Sequence, residues 1–240
     1  MAIRAIFAAI AHQDDLASPW RAVLNRSLLA CGILASVLYI AMNVFVPMLY
    51  EGYRATSQTV SELSAIGAPT RPLWVWLGTI YAVLVVAFGS GVWISADRNR
   101  SLQVAAALLV VDGLFSLYWP PMHMRGAAFT LTDALHIVWS IVTVLMMMLA
   151  IGFAASTLGR RFGIYSIATM LILVLFGALT GMDGPRIASN LPTPWVGVWE
   201  RISIAAFMFW VILFAVTLLR RGTLAPGSSV PRLAGATGLQ

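Results

Sequence analysis

Long apolar runs separated by short polar segments dominate the chain. Six of these runs have about the 20 residues with which an α-helix crosses the hydrocarbon core of a bilayer while pairing its own backbone amides. The pattern therefore predicts an all-α polytopic membrane protein, a bundle of six transmembrane helices. The six predicted spans are residues 28–49, 73–95, 102–118, 127–155, 162–181 and 196–219.

The composition agrees with this membrane assignment. Of the 240 residues 60% are hydrophobic and only 10% are charged, whereas about a quarter of the residues of a soluble domain are charged. All fifteen basic residues are arginine and the formal net charge is +6. They are scattered among short loops and form no basic face or recognition motif, so we expect no nucleic acid as a partner.

The distribution of arginine predicts the orientation. Arginines close to short loops are retained on the cytoplasmic side of a membrane, and ten of them fall on the side of the predicted bundle that carries both termini. We therefore expect cytoplasmic N and C termini and a multi-pass location. The predicted parts are a cytoplasmic arm over 1–26, the six-helix domain over 27–221 and a disordered tail, rich in Pro, Gly and Ser, over 222–240.

Most acidic residues and two of the three histidines fall in the predicted outer half of the bundle. An ionisable side chain within a span costs about 3 kcal/mol even on the mildest scale, so such groups face the bundle interior and find partners. Asp133 and His136 are three residues apart, hence on one face of their helix. We predict an outer polar pocket lined by Ser61, Glu62, Ser64, Asp112, Asp133, His136, Glu200 and Arg201.

Several chemistries can be drawn from these residues. No cofactor is predicted, although His123 and His136 with Asp112 or Asp133 offer the donor types that zinc prefers. The carboxylate of Asp133 could instead orient the imidazole of His136. Ser61 or Ser64 with His136 would supply a nucleophile and its base, but the chain has no Gly-x-Ser-x-Gly motif.

Four short segments carry a family resemblance. Residues 61–69 read SELSAIGAP, Asp112 lies in the third span, residues 133–136 read DALH, and residues 197–201 read GVWER. This series, in this order, resembles the bacterial membrane-protein family called domain of unknown function 998, over about residues 25–220. The resemblance implies a compact multi-helix membrane fold in a bacterial inner membrane and brings no established reaction or cofactor. The chain is more distantly similar to intramembrane metal-dependent hydrolases such as alkaline ceramidases, but it lacks their several late histidines.

The segregation of acids to one side leads to a functional hypothesis. We expect a membrane protein without enzymatic activity whose outer polar pocket binds a lipid headgroup or a small polar solute. One alternative is an intramembrane metal-dependent lipid hydrolase that holds zinc through His136 or His123. Another is an accessory subunit whose polar cluster only holds helices together. The expected partners are membrane lipids and a small polar or lipid ligand.

Overall fold

The structure is a computed structural model, and residues 19–224 are the part of the chain that it describes. Within these residues the regular structure is helical, with one isolated bridge between Ile66 and His123, so the all-α prediction is confirmed. Two 3-10 helices, Val46–Leu49 and Val60–Ser64, lie between the first two α-helices. The α-helices are α1 (Pro19–Phe45), α2 (Arg71–Ala96), α3 (Arg100–Ser116), α4 (Leu131–Ala155), α5 (Arg160–Met182), α6 (Gly184–Ala188) and α7 (Val196–Leu224).

Helices of membrane-spanning length make up most of this part of the chain. Five of them, namely α1 with the 3-10 turn that follows it, α2, α4, α5 and α7, are long and apolar enough to cross a membrane. The multi-pass membrane class is thereby confirmed. Helix α3 has 17 residues, which is about 25 Å at 1.5 Å per residue, just under a typical hydrocarbon core of about 30 Å. The sixth span stays a prediction.

The predicted flanking segments lie mostly outside the described residues. Helix α1 begins at Pro19, within the segment 1–26 that we predict as an arm, and α7 continues to Leu224, three residues past the predicted end of the membrane domain. Residues 1–18 and 225–240, which hold the rest of the predicted arm and tail, are not among those described.

The six long helices pack in a closed ring. Each of α1, α2, α3 and α4 contacts the helix that follows it. Helix α5 contacts α7, and α7 contacts α1, which closes the ring. Aromatic side chains fill the centre: Phe88 of α2 meets Phe214 of α7 edge to face, with ring centroids 5.7 Å apart. The indole of Trp210 donates to the hydroxyl of Ser166 over 2.9 Å and so links α7 to α5. Apolar side chains cover much of the outer surface of the ring, as a lipid-facing bundle requires.

Helices α2 and α3 approach each other backbone to backbone. A Cβ atom added at Gly89 would come within 2.9 Å of the amide nitrogen of Val110, and one added at Gly113 within 2.9 Å of the amide nitrogen of Val86. Small residues permit this close contact of helices in membranes. The contact fixes the depth at which α3 holds Asp112, the residue before Gly113.

The two ends of the ring differ in their connections. At the end that we call the polar end, the connections are residues 50–70, 117–130 and 183–195. At the opposite, terminal end, α2 and α3 are joined by residues 97–99 and α4 and α5 by residues 156–159. The longer connections at the polar end contain or adjoin most of the predicted site residues.

Candidate functional site

The site is built around the 3-10 helix Val60–Ser64, and a capping box lies at the N-terminus of this helix. The backbone N–H and the hydroxyl of Thr59 both donate to Oε2 of Glu62, over 2.6 and 3.0 Å. A threonine followed three residues later by glutamate is the sequence signature of this motif. The capping box therefore holds Ser61 and Ser64 in a defined turn of helix.

A buried ion pair ties this helix to the two other connections of the polar end. Arg125 donates two hydrogen bonds to the carboxylate of Glu62, from Nε to Oε1 over 2.7 Å and from Nη2 to Oε2 over 3.0 Å. The side chains are 16% and 1% exposed. Arg125 also donates to the hydroxyl of Thr193 and to the carbonyl of Ser57. Such bidentate pairs are directional as well as strong, so Arg125 fixes three segments relative to one another.

Glu200 and Arg201, at the start of α7, bind the same region from another side. The carboxylate of Glu200 accepts from the N–H of Val60. Arg201 donates to the carbonyl of Ala55 over 2.8 Å and to the hydroxyl of Tyr53 over 2.8 Å. Burial raises the pKa of Tyr53 to about 12. Its hydroxyl donates to the carbonyl of Thr59 over 2.7 Å.

The start of α7 comes unusually close to the 50–70 connection. The N–H of Gly197 donates to the carbonyl of Thr56 over 2.9 Å. A Cβ atom added at Gly197 would collide with the carbonyl oxygens of Ala55 and Gln58. Only glycine fits this contact without a shift of backbone. The sequence GVWER therefore begins with a residue that lets Glu200 and Arg201 reach their partners.

His136 of α4 faces Ser61. Its Nε2 atom lies 3.0 Å from Oγ of Ser61, and its Nδ1 atom lies 2.7 Å from the carbonyl oxygen of Pro120. The indole N–H of Trp119 donates to the same Nδ1 atom over 3.1 Å. An indole N–H only donates and a carbonyl oxygen only accepts, so the two contacts call for opposite tautomers of His136. The shorter contact, with Pro120, favours a proton on Nδ1. In that tautomer the lone pair of the neutral imidazole is on Nε2, beside the hydroxyl of Ser61.

Asp133, the other predicted residue of the same helix face, has different partners. With Thr130 it forms the capping box that begins α4. It also accepts from the backbone N–H of His123 at 2.7 Å, and Oδ2 lies 3.0 Å from Nδ1 of His123. The idea that its carboxylate orients His136 is wrong, because the carbonyl of Pro120 does so and Asp133 orients His123 instead.

A short backbone contact joins these histidine-bearing segments to the serine-bearing one. The N–H of Ile66 donates to the carbonyl of Met122 over 2.8 Å, beside the bridge between Ile66 and His123. Arg71, at the start of α2, donates from Nη1 to the carbonyl of Ser64 over 2.7 Å. The helix Val60–Ser64 is thus held at both of its ends.

Asp112 is buried, with 2% of its surface exposed, and its Oδ1 atom has no hydrogen-bond partner among residues 19–224. No hydrogen bond within the described chain joins it to the other predicted site residues. Its place in one pocket with them stays a prediction.

Contacts at the polar end therefore bring together seven of the eight predicted residues, namely Ser61, Glu62, Ser64, Asp133, His136, Glu200 and Arg201. Sequence reasoning missed Arg125, Arg71 and Thr59. For Thr59 the capping-box spacing was a usable signal, whereas nothing local marks the partners of the two arginines.

Within residues 19–224, no three His, Cys, Asp or Glu side chains are grouped as a metal site would need. The zinc candidates separate into His123 with Asp133, His136 with Ser61, and Asp112.

Comparisons with known proteins give a family and no activity. A search of the curated proteins and a search of the solved structures each found no match. The model of one family, described as a protein of unknown function (DUF998), matches residues 33–217. That range contains α2 to α5 whole, about half of α1 and most of α7, together with all the residues of the site. The chain therefore belongs to the DUF998 family.

Proposed function

We propose that the polar end binds the anionic headgroup of a membrane lipid or a small solute of the same chemistry. The observation that carries the proposal is the environment of Arg71. Its half-buried guanidinium lies beside the carbonyl of Ser64, and no acidic side chain of residues 19–224 is within ion-pair distance of it. Arg125, in contrast, is neutralised by Glu62. An arginine without an acidic partner matches phosphate or carboxylate oxygens with its planar fork of donors.

Hydroxyl groups next to Arg71 add further hydrogen-bonding capacity. Ser61 and Ser64 are half-buried, and both lie on the 3-10 helix whose last residue Arg71 contacts. The hydroxyl of Ser64 donates to the carbonyl of Ser61 over 3.0 Å and keeps its lone pairs for a ligand hydroxyl. These groups would orient a headgroup that Arg71 attracts by charge.

Exposed aromatic side chains near this end favour a lipid as the ligand. Trp76, Tyr118 and Phe129 are each more than half exposed and lie at or near the polar ends of α2, α3 and α4. Amphipathic rings concentrate at the level of lipid headgroups. A ligand bound beside Ser64 would therefore lie at the depth at which headgroups are found.

The proposal includes an orientation, with the polar end outside a bacterial inner membrane and both termini in the cytoplasm. Two exposed serines give a matched test, Ser189 at the polar end and Ser156 at the terminal end. In a Cys31→Ser background, a membrane-impermeant maleimide added to intact cells should label Ser189→Cys and leave Ser156→Cys unlabelled. Labelling of Ser156→Cys alone would reverse the orientation.

Thermal unfolding in detergent tests headgroup binding. A ligand that binds only the folded state stabilises it by RT ln(1 + [L]/Kd). We expect phosphatidylglycerol to raise the unfolding temperature of the full chain in a saturable way and phosphatidylcholine to raise it much less. Arg71→Gln should abolish this difference. Arg54→Gln is the control, because Arg54 is an exposed arginine of the 50–70 connection, which leads into Arg71.

The outcomes separate the sources of the ligand. An equal rise with water-soluble glycerol 3-phosphate would identify a solute, and a rise with phosphatidylglycerol alone would identify a lipid. Equal responses of wild type and Arg71→Gln to every ligand would overturn the proposal. Variants that only lower the stability, without changing any lipid response, would favour the accessory-subunit alternative.

A further inference from the structure

We propose that Ser61 and His136 form a nucleophile and general base that cleave a carboxylic ester of an amphiphile held at the polar end. The inference rests on the proposed function, since headgroup binding would bring the ester to Ser61. It goes beyond that function by assigning a reaction, and the reaction needs no metal ion.

The geometry of the pair is that of an activated serine. Oγ of Ser61 is 3.0 Å from Nε2 of His136, within the range in which a base takes the proton of a hydroxyl nucleophile. The 2.7 Å contact between Nδ1 and the carbonyl of Pro120 is shorter than the 3.1 Å bond from Trp119 to the same atom, and it favours the tautomer that leaves the Nε2 lone pair free for that proton. Pro120 therefore has the positioning role that a third group has in serine hydrolases.

Rigid elements hold the two partners. Ser61 lies in the 3-10 helix whose start is fixed by the Thr59–Glu62 capping box and whose end is fixed by Arg71. His136 lies in the second turn of α4. The capping box of Thr130 and Asp133 lies at the N-terminus of that helix. Reactive side chains on supported elements keep their mutual geometry better than side chains on free loops. The 3.0 Å contact is therefore set by the fold of the polar end.

The exposure of the two side chains differs in the direction that catalysis needs. Ser61 is half-buried and so partly open at the surface, whereas His136 is 7% exposed and is shielded from bulk water. The indole of Trp119 covers the imidazole edge to face, with ring centroids 5.8 Å apart. A base of this kind retains its proton for the leaving group instead of losing it to solvent.

The reaction balances as an ester hydrolysis. Oγ of Ser61 forms a bond to the ester carbonyl carbon while its proton passes to Nε2 of His136. The ester C–O bond then breaks, the alcohol leaves with the proton from Nε2, and the acyl group remains on Ser61. Water attacks the acyl carbon, gives one proton to Nε2, and releases the carboxylic acid as that proton returns to Ser61. The net change is ester plus water to acid plus alcohol.

An activity-based probe tests the assignment on the full chain in detergent micelles. A fluorophosphonate phosphonylates a serine only where a base activates it, with loss of fluoride, and peptide mass spectrometry locates the adduct. We expect the adduct on Ser61 of the wild type and of the control Ser189→Ala, an exposed serine of the same end. His136→Gln should slow phosphonylation and hydrolysis of p-nitrophenyl octanoate by about 100-fold or more.

Three results decide whether Ser61 and His136 act as nucleophile and base. Wild-type protein without an adduct on Ser61 would overturn the inference, and this result does not depend on whether a variant folds. If that same protein still shows the stabilisation by phosphatidylglycerol, the proposed function stands and only the reaction fails. An adduct that forms equally fast in Ser61→Ala, or on a serine other than Ser61, would also overturn the inference.

Discussion

The two ends of the helix ring are held together in different ways. At the terminal end, α2 is joined to α3 and α4 to α5 by turns of a few residues. The polar contacts between helices at this end include single hydrogen bonds, such as the 2.9 Å bond from Asn25 to Ser95 and the 3.2 Å bond from Arg221 to Thr157. At the polar end, longer connections are fixed by buried charge. Short turns lose little entropy when their helices pack, whereas long connections need directed bonds to adopt one path. A protein that only had to fold could have used short turns at both ends.

The largest expected effect is the loss of Arg125. Arg125→Met leaves the carboxylate of Glu62 buried without its partner, which costs about 3–5 kcal/mol. We expect a matching fall in the free energy of unfolding, measured by denaturation of the detergent-solubilised protein. The matched change at the terminal end, Arg221→Met, removes one exposed contact and should cost below about 0.5 kcal/mol. Equal losses at the two ends would show that buried charge does not distinguish them.

A glycine substitution sharpens the same comparison. Gly197→Ala forces its Cβ against two backbone carbonyls of the 50–70 connection, and overpacking of this kind costs about 1–3 kcal/mol. Gly177→Ala, in α5, meets no atom within 4 Å and should be neutral or stabilising by up to about 1 kcal/mol. Thermal unfolding of both variants measures the difference, and a stable Gly197→Ala protein would show that α7 does not dock on that connection.

The smallest expected effects are changes of opposite sign in the free energy of unfolding when two acids on neighbouring helices, Asp133 and Asp112, are replaced. Asp133→Asn weakens the bonds to Thr130 and to the backbone of His123 and should lower the free energy of unfolding by about 1–2 kcal/mol. Asp112→Asn replaces a buried carboxylate that has an unpartnered oxygen and should raise it by about 1 kcal/mol. The same sign for both variants would show that the two carboxylates have equivalent surroundings.

Hydropathy and spacing predicted much of the fold. The helical spans followed from apolar runs, because a helix in lipid must be apolar on its outside and long enough to cross. Their ends were less predictable: residues 127–130 read as part of the fourth span, yet α4 begins only at Leu131, where Thr130 and Asp133 cap it.

The site could be predicted by residue type but not by partner. The cost of burying charge indicated that Glu62, Glu200 and Arg201 find partners, and each does. Which partner each finds depends on the path of the connections through space. Backbone carbonyls, such as that of Pro120 beside His136, carry no signal in a pattern of side chains. The pairing of Asp133 with His136 failed for this reason.

The central claim is that buried charge fixes the connections of the polar end into one unit, and a double-mutant cycle on Glu62 and Arg125 tests it most directly. Glu62→Gln, Arg125→Met and the double variant are compared by the free energy of unfolding in detergent. We predict a coupling energy of about 2 kcal/mol or more, since the residues form a buried bidentate pair. Additive losses within about 0.5 kcal/mol would contradict it.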